Sequence, residues 1–155
     1  MGGHMWDIKE QILTASSKLD IELNILPKEE AEDIKQSIMN KYLEEGMSRN
    51  FPLFERLHDY VGIDVPDSWM WIANFIKKTP VILFFNPEDE KEYYRLNSGE
   101  DVVSIIDEIF NVEFYVTNLD TEYLLGYNHS QCLVASGAAS SWLENHEGYK
   151  ARYNK

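Results

Sequence analysis

Apolar positions in the first half of the chain recur at helical spacing. Ile8, Ile12, Ala15 and Leu19 mark one face of a helix predicted over 6–19. A sharper helix follows Pro27, with Glu29, Glu30, Glu32 and Asp33 at the positive end of its dipole and Gly46 as its stop. Its inward stripe is Ala31, Ile34, Ile38 and Tyr42. Leu53, Phe54, Leu57 and Val61 predict a shorter helix over 52–61, closed by Gly62. After Pro66, Asp67 is expected to cap a helix that turns Trp69, Ile72, Ala73 and Ile76 inward and ends at Lys77 and Lys78. A strand is the rival reading over 69–75, because Trp and Phe favour strands; the i, i+3, i+4, i+7 spacing prefers helix.

Beyond Pro80 the period falls to two. Val81–Phe85 is an uninterrupted apolar run of buried-strand length, ended by Asn86-Pro87. The acidic tip Glu88-Asp89-Glu90 then leads into a strand over 93–96, so the two runs read as a hairpin. Asn97-Ser98-Gly99 breaks the pattern, and Val102, Val103, Ile106, Ile109 and Phe110 predict a helix over 100–110. Strands are expected over 112–117, 123–127 and 132–135, and a last helix from Gly137 through Trp142 and Leu143 to about Gly148. The fold class is therefore α+β: a helical N-terminal half, then a four- or five-stranded mostly antiparallel sheet with helices packed on one face. No linker or repeat divides 6–155, which reads as a single domain, while Met1-Gly2-Gly3-His4-Met5 reads as an expression scar with the natural start near Met5.

Charge narrows the choice of partner. The 155 residues carry a formal net charge of −13, which argues against nucleic acid and against anionic membrane surfaces. No apolar run approaches membrane-spanning length. The single cysteine, Cys132, rules out an intrachain disulfide framework and fits a reducing compartment, so a cytoplasmic location is expected.

Catalytic and metal signatures are weak. His129 and Cys132 lie three apart, but no second cysteine exists and His146 is the one nearby imidazole, so neither a zinc site nor any cofactor is expected. As a nucleophile pair they lack an evident orienting Asp, and Cys132 reads as a small hydrophobe at a strand start. Ser136, Ser140 and Ser141 surround Gly137 without a phosphate-cradling motif and are read as caps and packing. Asp107 with Glu108, or Asp120 with Glu122, form carboxylate pairs that a chain holding 27 acids produces by chance.

The charge asymmetry is stronger. Between 79 and 149 thirteen acids face only Lys91 and Arg95, so almost the whole negative charge belongs to the strand-bearing half. Tyr93, Tyr94, Tyr115, Tyr123 and Tyr127 crowd the same region, and alternation is expected to leave some of them exposed as interface anchors, while of the neighbours Trp69 and Trp71 one alone fits the inward stripe.

Val81–Phe85, Glu113-Phe114-Tyr115-Val116-Thr117, Tyr127-Asn128-His129 and Gly137 followed by Trp142-Leu143 resemble a family of small, largely uncharacterised bacterial proteins that look like immunity or accessory proteins of toxin systems. The family pattern favours a second His or an Asp after Asn-His; this chain has Ser130-Gln131 there. The resemblance bears on the fold more than on the function, and the binding role is expected from the charge asymmetry and the aromatics. The leading expectation is a non-catalytic domain that occludes a basic protein partner through Glu88, Asp89, Glu90, Asp120 and Glu122, with Tyr94 and Tyr115 as exposed anchors. The alternative is a small-molecule-binding protein or enzyme with a pocket near Tyr127, Asn128, His129 and Trp142. A self-associating structural protein is a third possibility.

Overall fold

The computed structural model describes residues 7–46, 48–109 and 112–153, so Trp6 and Phe110 lie outside the described residues. Its helices begin where cap chemistry permits. Helix α1 (Ile8–Leu19) starts at Asp7, whose Oδ1 accepts the Glu10 N–H at 2.8 Å, and buries Ile12 and Ala15. Helix α2 (Lys28–Tyr42) follows Pro27 and buries Ile34, Ile38, Met39 and Tyr42. A 3-10 turn over Ser68–Trp71 runs into the short helix α3 (Ile72–Phe75).

Helix α4 (Gly99–Asp107) is capped by Ser98, whose Oγ accepts the Asp101 N–H at 3.1 Å. It crosses close to the α3 segment: a Cβ on Gly99 would stand 2.4 Å from the Ile76 carbonyl oxygen, so only glycine fits.

Strands β1 (Asn24–Ile25), β2 (Val61–Ile63), β3 (Val81–Phe85), β4 (Tyr94–Leu96), β5 (Phe114–Thr117), β6 (Tyr123–Tyr127) and β7 (Leu133–Gly137) form one sheet in the order β1-β4-β3-β5-β6-β7-β2. Every neighbouring pair is antiparallel. The expected four or five strands become seven because two very short edge strands are added, β1 against β4 and β2 against β7.

Alternation along the strands builds two cores. Leu83, Phe85, Phe114, Val116, Leu125 and Leu133 face α1, α3, α4 and the C-terminal helix α5 (Ala138–Glu144). Ile82, Phe84, Tyr93, Tyr115, Leu124 and Val134 face the opposite way, onto α2 and the Leu43–Leu57 segment. The expectation of helices on one face is thus corrected: α2 covers the second face. This two-sided cover also explains why β3 is apolar at every position.

Three local expectations are replaced. Residues 52–61 are not a helix, because their backbone groups take partners elsewhere: the Leu53 N–H donates to Tyr115 Oη, the His58 N–H donates to the Tyr42 carbonyl, and Leu57 bridges Leu43. Leu53 and Leu57 are buried all the same, and Val61 joins the sheet through β7. Asp67 gives no side-chain cap; it sits at φ 66°, and the Met70 N–H donates to its carbonyl instead.

The last helix is two. α5 ends at Glu144 with Asn145 as its C-cap, and at the start of α6 (Glu147–Tyr153) the Gly148 N–H donates to His146 Nδ1 at 3.0 Å. Gly148 therefore lies inside a helix, where a Cβ would stand 2.4 Å from the Trp71 ring. Among the described residues no helix is long and apolar enough to cross a membrane.

Candidate functional site

The strand registers sort every loop to one of two sheet ends. Phe85, Phe114, Tyr127, Leu133 and Ile63 lie in one row across neighbouring strands. The loops leaving that row, 86–93, 128–132 and 64–67, with Glu113 before β5, share the first end. The turn 118–122, Pro80 and Gly137 belong to the second end, where Ile82 pairs Thr117 and Tyr123 pairs Gly137. Glu88, Asp89 and Glu90 are therefore separated from Asp120 and Glu122 by the length of the sheet, and the single docking field expected from them is corrected.

The aromatic anchors are corrected too. Tyr94 and Tyr115 are 0% and 1% exposed, because both sheet faces are covered and alternation only selects which cover each ring meets. Tyr94 Oη donates to Glu90 Oε2 at 2.7 Å, so this carboxylate holds its own turn together. Burial, followed by that bond and the nearby acids, pushes the Tyr94 hydroxyl well up. Glu88 and Asp89 are exposed, but they line a groove of about 470 Å³ together with Lys35, Arg49 and Arg56, so the tip is not purely negative.

At the second end the turn is tied down through its backbone carbonyls. Lys41 Nζ donates to the Asp120 carbonyl at 2.9 Å, and Tyr42 Oη donates to the Thr121 carbonyl at 2.7 Å. Asn118 Nδ2 donates to Glu122 Oε1 at 2.7 Å, and Lys77 and Lys78 precede Pro80 at the same end.

The first end instead holds a polar relay that reaches from one sheet face to the loops. The Leu53 N–H donates to Tyr115 Oη at 3.0 Å, and Tyr115 Oη donates to Asn86 Oδ1 at 2.6 Å. Asn86 Nδ2 then donates to Glu113 Oε1 at 2.9 Å. Glu113 Oε2 accepts from the His129 N–H at 3.0 Å and lies 2.8 Å from His129 Nδ1. Burial alone would raise the Glu113 carboxyl, but the donors from His129 and Asn86 outweigh it and leave the group below its ordinary range. The Glu113 side chain is 13% exposed and that of His129 65%, so a sheltered carboxylate orients an open imidazole. In the tautomer that donates Nδ1–H to Glu113, Nε2 of the neutral ring is an acceptor.

Beside this pair is a cavity of about 250 Å³. Trp69, Phe114 and Tyr127 supply aromatic wall; Asp67 and Asp107 supply carboxylates; Asn128, His129 and Gln131 supply polar edge. No Lys or Arg lines it among the described residues. The Asp67 N–H donates to Tyr127 Oη at 3.3 Å, and burial, reinforced by the Asp67 carboxylate, raises the Tyr127 hydroxyl. Asn128 Oδ1 accepts the N–H groups of Ser130 and Cys132 at 2.9 and 3.1 Å, which fixes the 128–132 turn.

Three of the four expected pocket residues thus meet. Trp142 does not: it lines a separate cavity with Asn74 and His146, and it contacts His146 edge-on at 5.5 Å between ring centres. Cys132 is half-buried just before β7; burial and then the Asp64 carboxylate push its thiol up, away from the nucleophilic thiolate. Ser136 Oγ donates to the Asp59 carbonyl and Ser140 Oγ to the Ala135 carbonyl, so both hydroxyls bond to backbone. Among the described residues no group of three or more His, Cys, Asp and Glu gathers closely enough to hold a metal ion.

Glu113, Asn86, Asp67 and Asp107 as one constellation were missed in the sequence. The usable signal was the β5–β6 register, which sets Phe114 against Tyr127 and so carries position 113 to position 128, beside His129. Comparison of the chain with protein-family models, curated proteins and solved structures gives no match.

Proposed function

We propose that the protein is a non-catalytic acidic binding domain that receives a basic protein partner at the first end of its sheet. The observation that carries this reading is the cavity walled by Trp69, Phe114 and Tyr127, which presents Asp67 and Asp107 and neither Lys nor Arg among its described lining. Neither carboxylate has an ion-pair partner among the described residues, so a cation arriving there displaces no internal one. Exposed carboxylates beside aromatic surface suit a basic side chain on a partner, and the further acids around them favour encounter. The resemblance to immunity-like bacterial proteins supplies the concrete form: occlusion of a cationic toxin domain whose Lys and Arg groups would otherwise hold phosphate.

The second reading, a small-molecule-binding protein or enzyme, is favoured by one observation, the imidazole of His129 oriented by Glu113 at the cavity edge. Affinity capture on the immobilised protein from its source cell separates the two. The binding-domain reading expects a basic protein that elutes as salt rises and is retained less by Asp67→Asn/Asp107→Asn protein. Capture unchanged by that double variant, or a co-purifying small molecule with no basic protein retained at low salt, overturns it.

A further inference from the structure

We infer that the cavity between Trp69, Tyr127 and Asp107 is a receptor for the guanidinium of a single arginine side chain; this rests on the binding-domain reading and names the group the partner inserts. Size comes first. At about 250 Å³ the space falls below the roughly 300–1,000 Å³ of sites that enclose drug-sized molecules, and suits one side chain.

Charge comes second. Asp67 sits after β2 and Asp107 at the end of α4, so the two carboxylates reach the cavity from different elements. Anions are disfavoured by the same two carboxylates.

Shape and acceptors choose arginine over lysine. A guanidinium offers five donors in a plane and stacks on aromatic faces, whereas an ammonium is a compact, strongly hydrated point charge. Trp69 and Tyr127 supply the faces. Asp67, Asp107 and the Gln131 amide oxygen supply acceptors at several points of the rim. The relay through Glu113 holds His129 in place before anything binds, which lowers the ordering cost of recognition.

The test needs no partner protein. Full-length 15N-labelled protein is titrated with N-acetyl-arginine methylamide, and in parallel with the lysine and citrulline analogues. Saturable amide shifts centred on Asp67, Trp69, Tyr127 and His129 are expected for arginine, with at least about tenfold weaker binding of the citrulline analogue, which keeps the shape and loses the charge. Asp107→Asn, on an exposed helix end, should weaken the arginine analogue by a similar factor. Asp67→Asn is the second variant, because asparagine tolerates the positive φ found there. Shifts scattered over surface acids without saturation, or equal binding of the lysine or citrulline analogue, would overturn the inference even if a basic partner is captured. Saturable arginine binding with no captured partner would support the receptor and defeat the wider reading instead.

Discussion

The two ends of the sheet differ in how many acids they carry, six of those named above at the first end and two at the second, and in how each end is built. At the second end the backbone carbonyls of the turn are already donated to by Lys41 and Tyr42, and Asn118 donates to Glu122. At the first end the carboxylates have separate tasks. Glu90 ties down its own turn, Glu113 orients His129, Glu88 and Asp89 share a groove with bases, and Asp67 and Asp107 line an aromatic cavity with no cation of their own. Net charge over a segment therefore does not locate a binding surface. What matters is which carboxylates the fold sets beside aromatic surface that can desolvate a ligand.

The sharpest way to break this contrast is through the packing behind the first end. Phe84 is fully buried and stacks on Tyr93 at 4.7 Å and on Tyr115 at 5.2 Å between ring centres. Phe84→Ala should cost about 3–5 kcal/mol in urea unfolding. It should also broaden the amide signals of Asn86, Glu113 and His129 more than those of 118–122.

A smaller effect compares one tyrosine at each end. Tyr115→Phe leaves the buried Leu53 N–H without its acceptor and Asn86 without its donor, and should cost about 1–3 kcal/mol. Tyr42→Phe removes one donor from the Thr121 carbonyl, which keeps Lys41 Nζ at 3.2 Å, and should cost about 0.5–1.5 kcal/mol. Equal losses measured by chemical denaturation would mean that the relay adds nothing at the first end.

Charge reversal at the hairpin tip tests steering alone. Glu88→Lys with Asp89→Lys should slow association of a basic partner by up to about tenfold at low salt, with dissociation little changed. The salt dependence of the association rate should flatten with it.

The smallest expected effect is on acid stability. The Glu113 carboxyl is held below its ordinary value in the folded protein, so its contribution is complete above the usual carboxylate range and is lost as pH falls through the lowered folded value. Glu113→Gln should flatten that acid limb in a plot of urea midpoint against pH. A limb unchanged by the substitution would show that His129 and Asn86 do not stabilise the charged form.

Much of this scaffold was legible in the sequence. Val81–Phe85 is an apolar run that admits little but a central strand, and the acid-loaded first turn after Pro27 announces α2. The edge strands were not legible, because Asn24–Ile25 and Val61–Ile63 are too short for a period and exist through pairing with β4 and β7. Tyr115 shows a different limit. Its place in the alternation was clear, but whether its face met solvent depended on α2 and Leu53 arriving from far earlier in the chain. Asp67 and Asp107 are 40 residues apart and share a cavity through topology alone, so no spacing rule could pair them.

The central claim, that the first end and not the second receives the basic partner, is tested most directly by comparing two isosteric double variants on the captured partner. Asp67→Asn/Asp107→Asn and Asp120→Asn/Glu122→Gln remove equal charge, so a response to net charge alone would treat them alike. Measured by surface plasmon resonance at low and moderate salt, the first pair should weaken binding at least about tenfold, chiefly by faster dissociation, and the second by less than about twofold. Equal weakening by both pairs, or a larger effect from Asp120 and Glu122, would contradict the account.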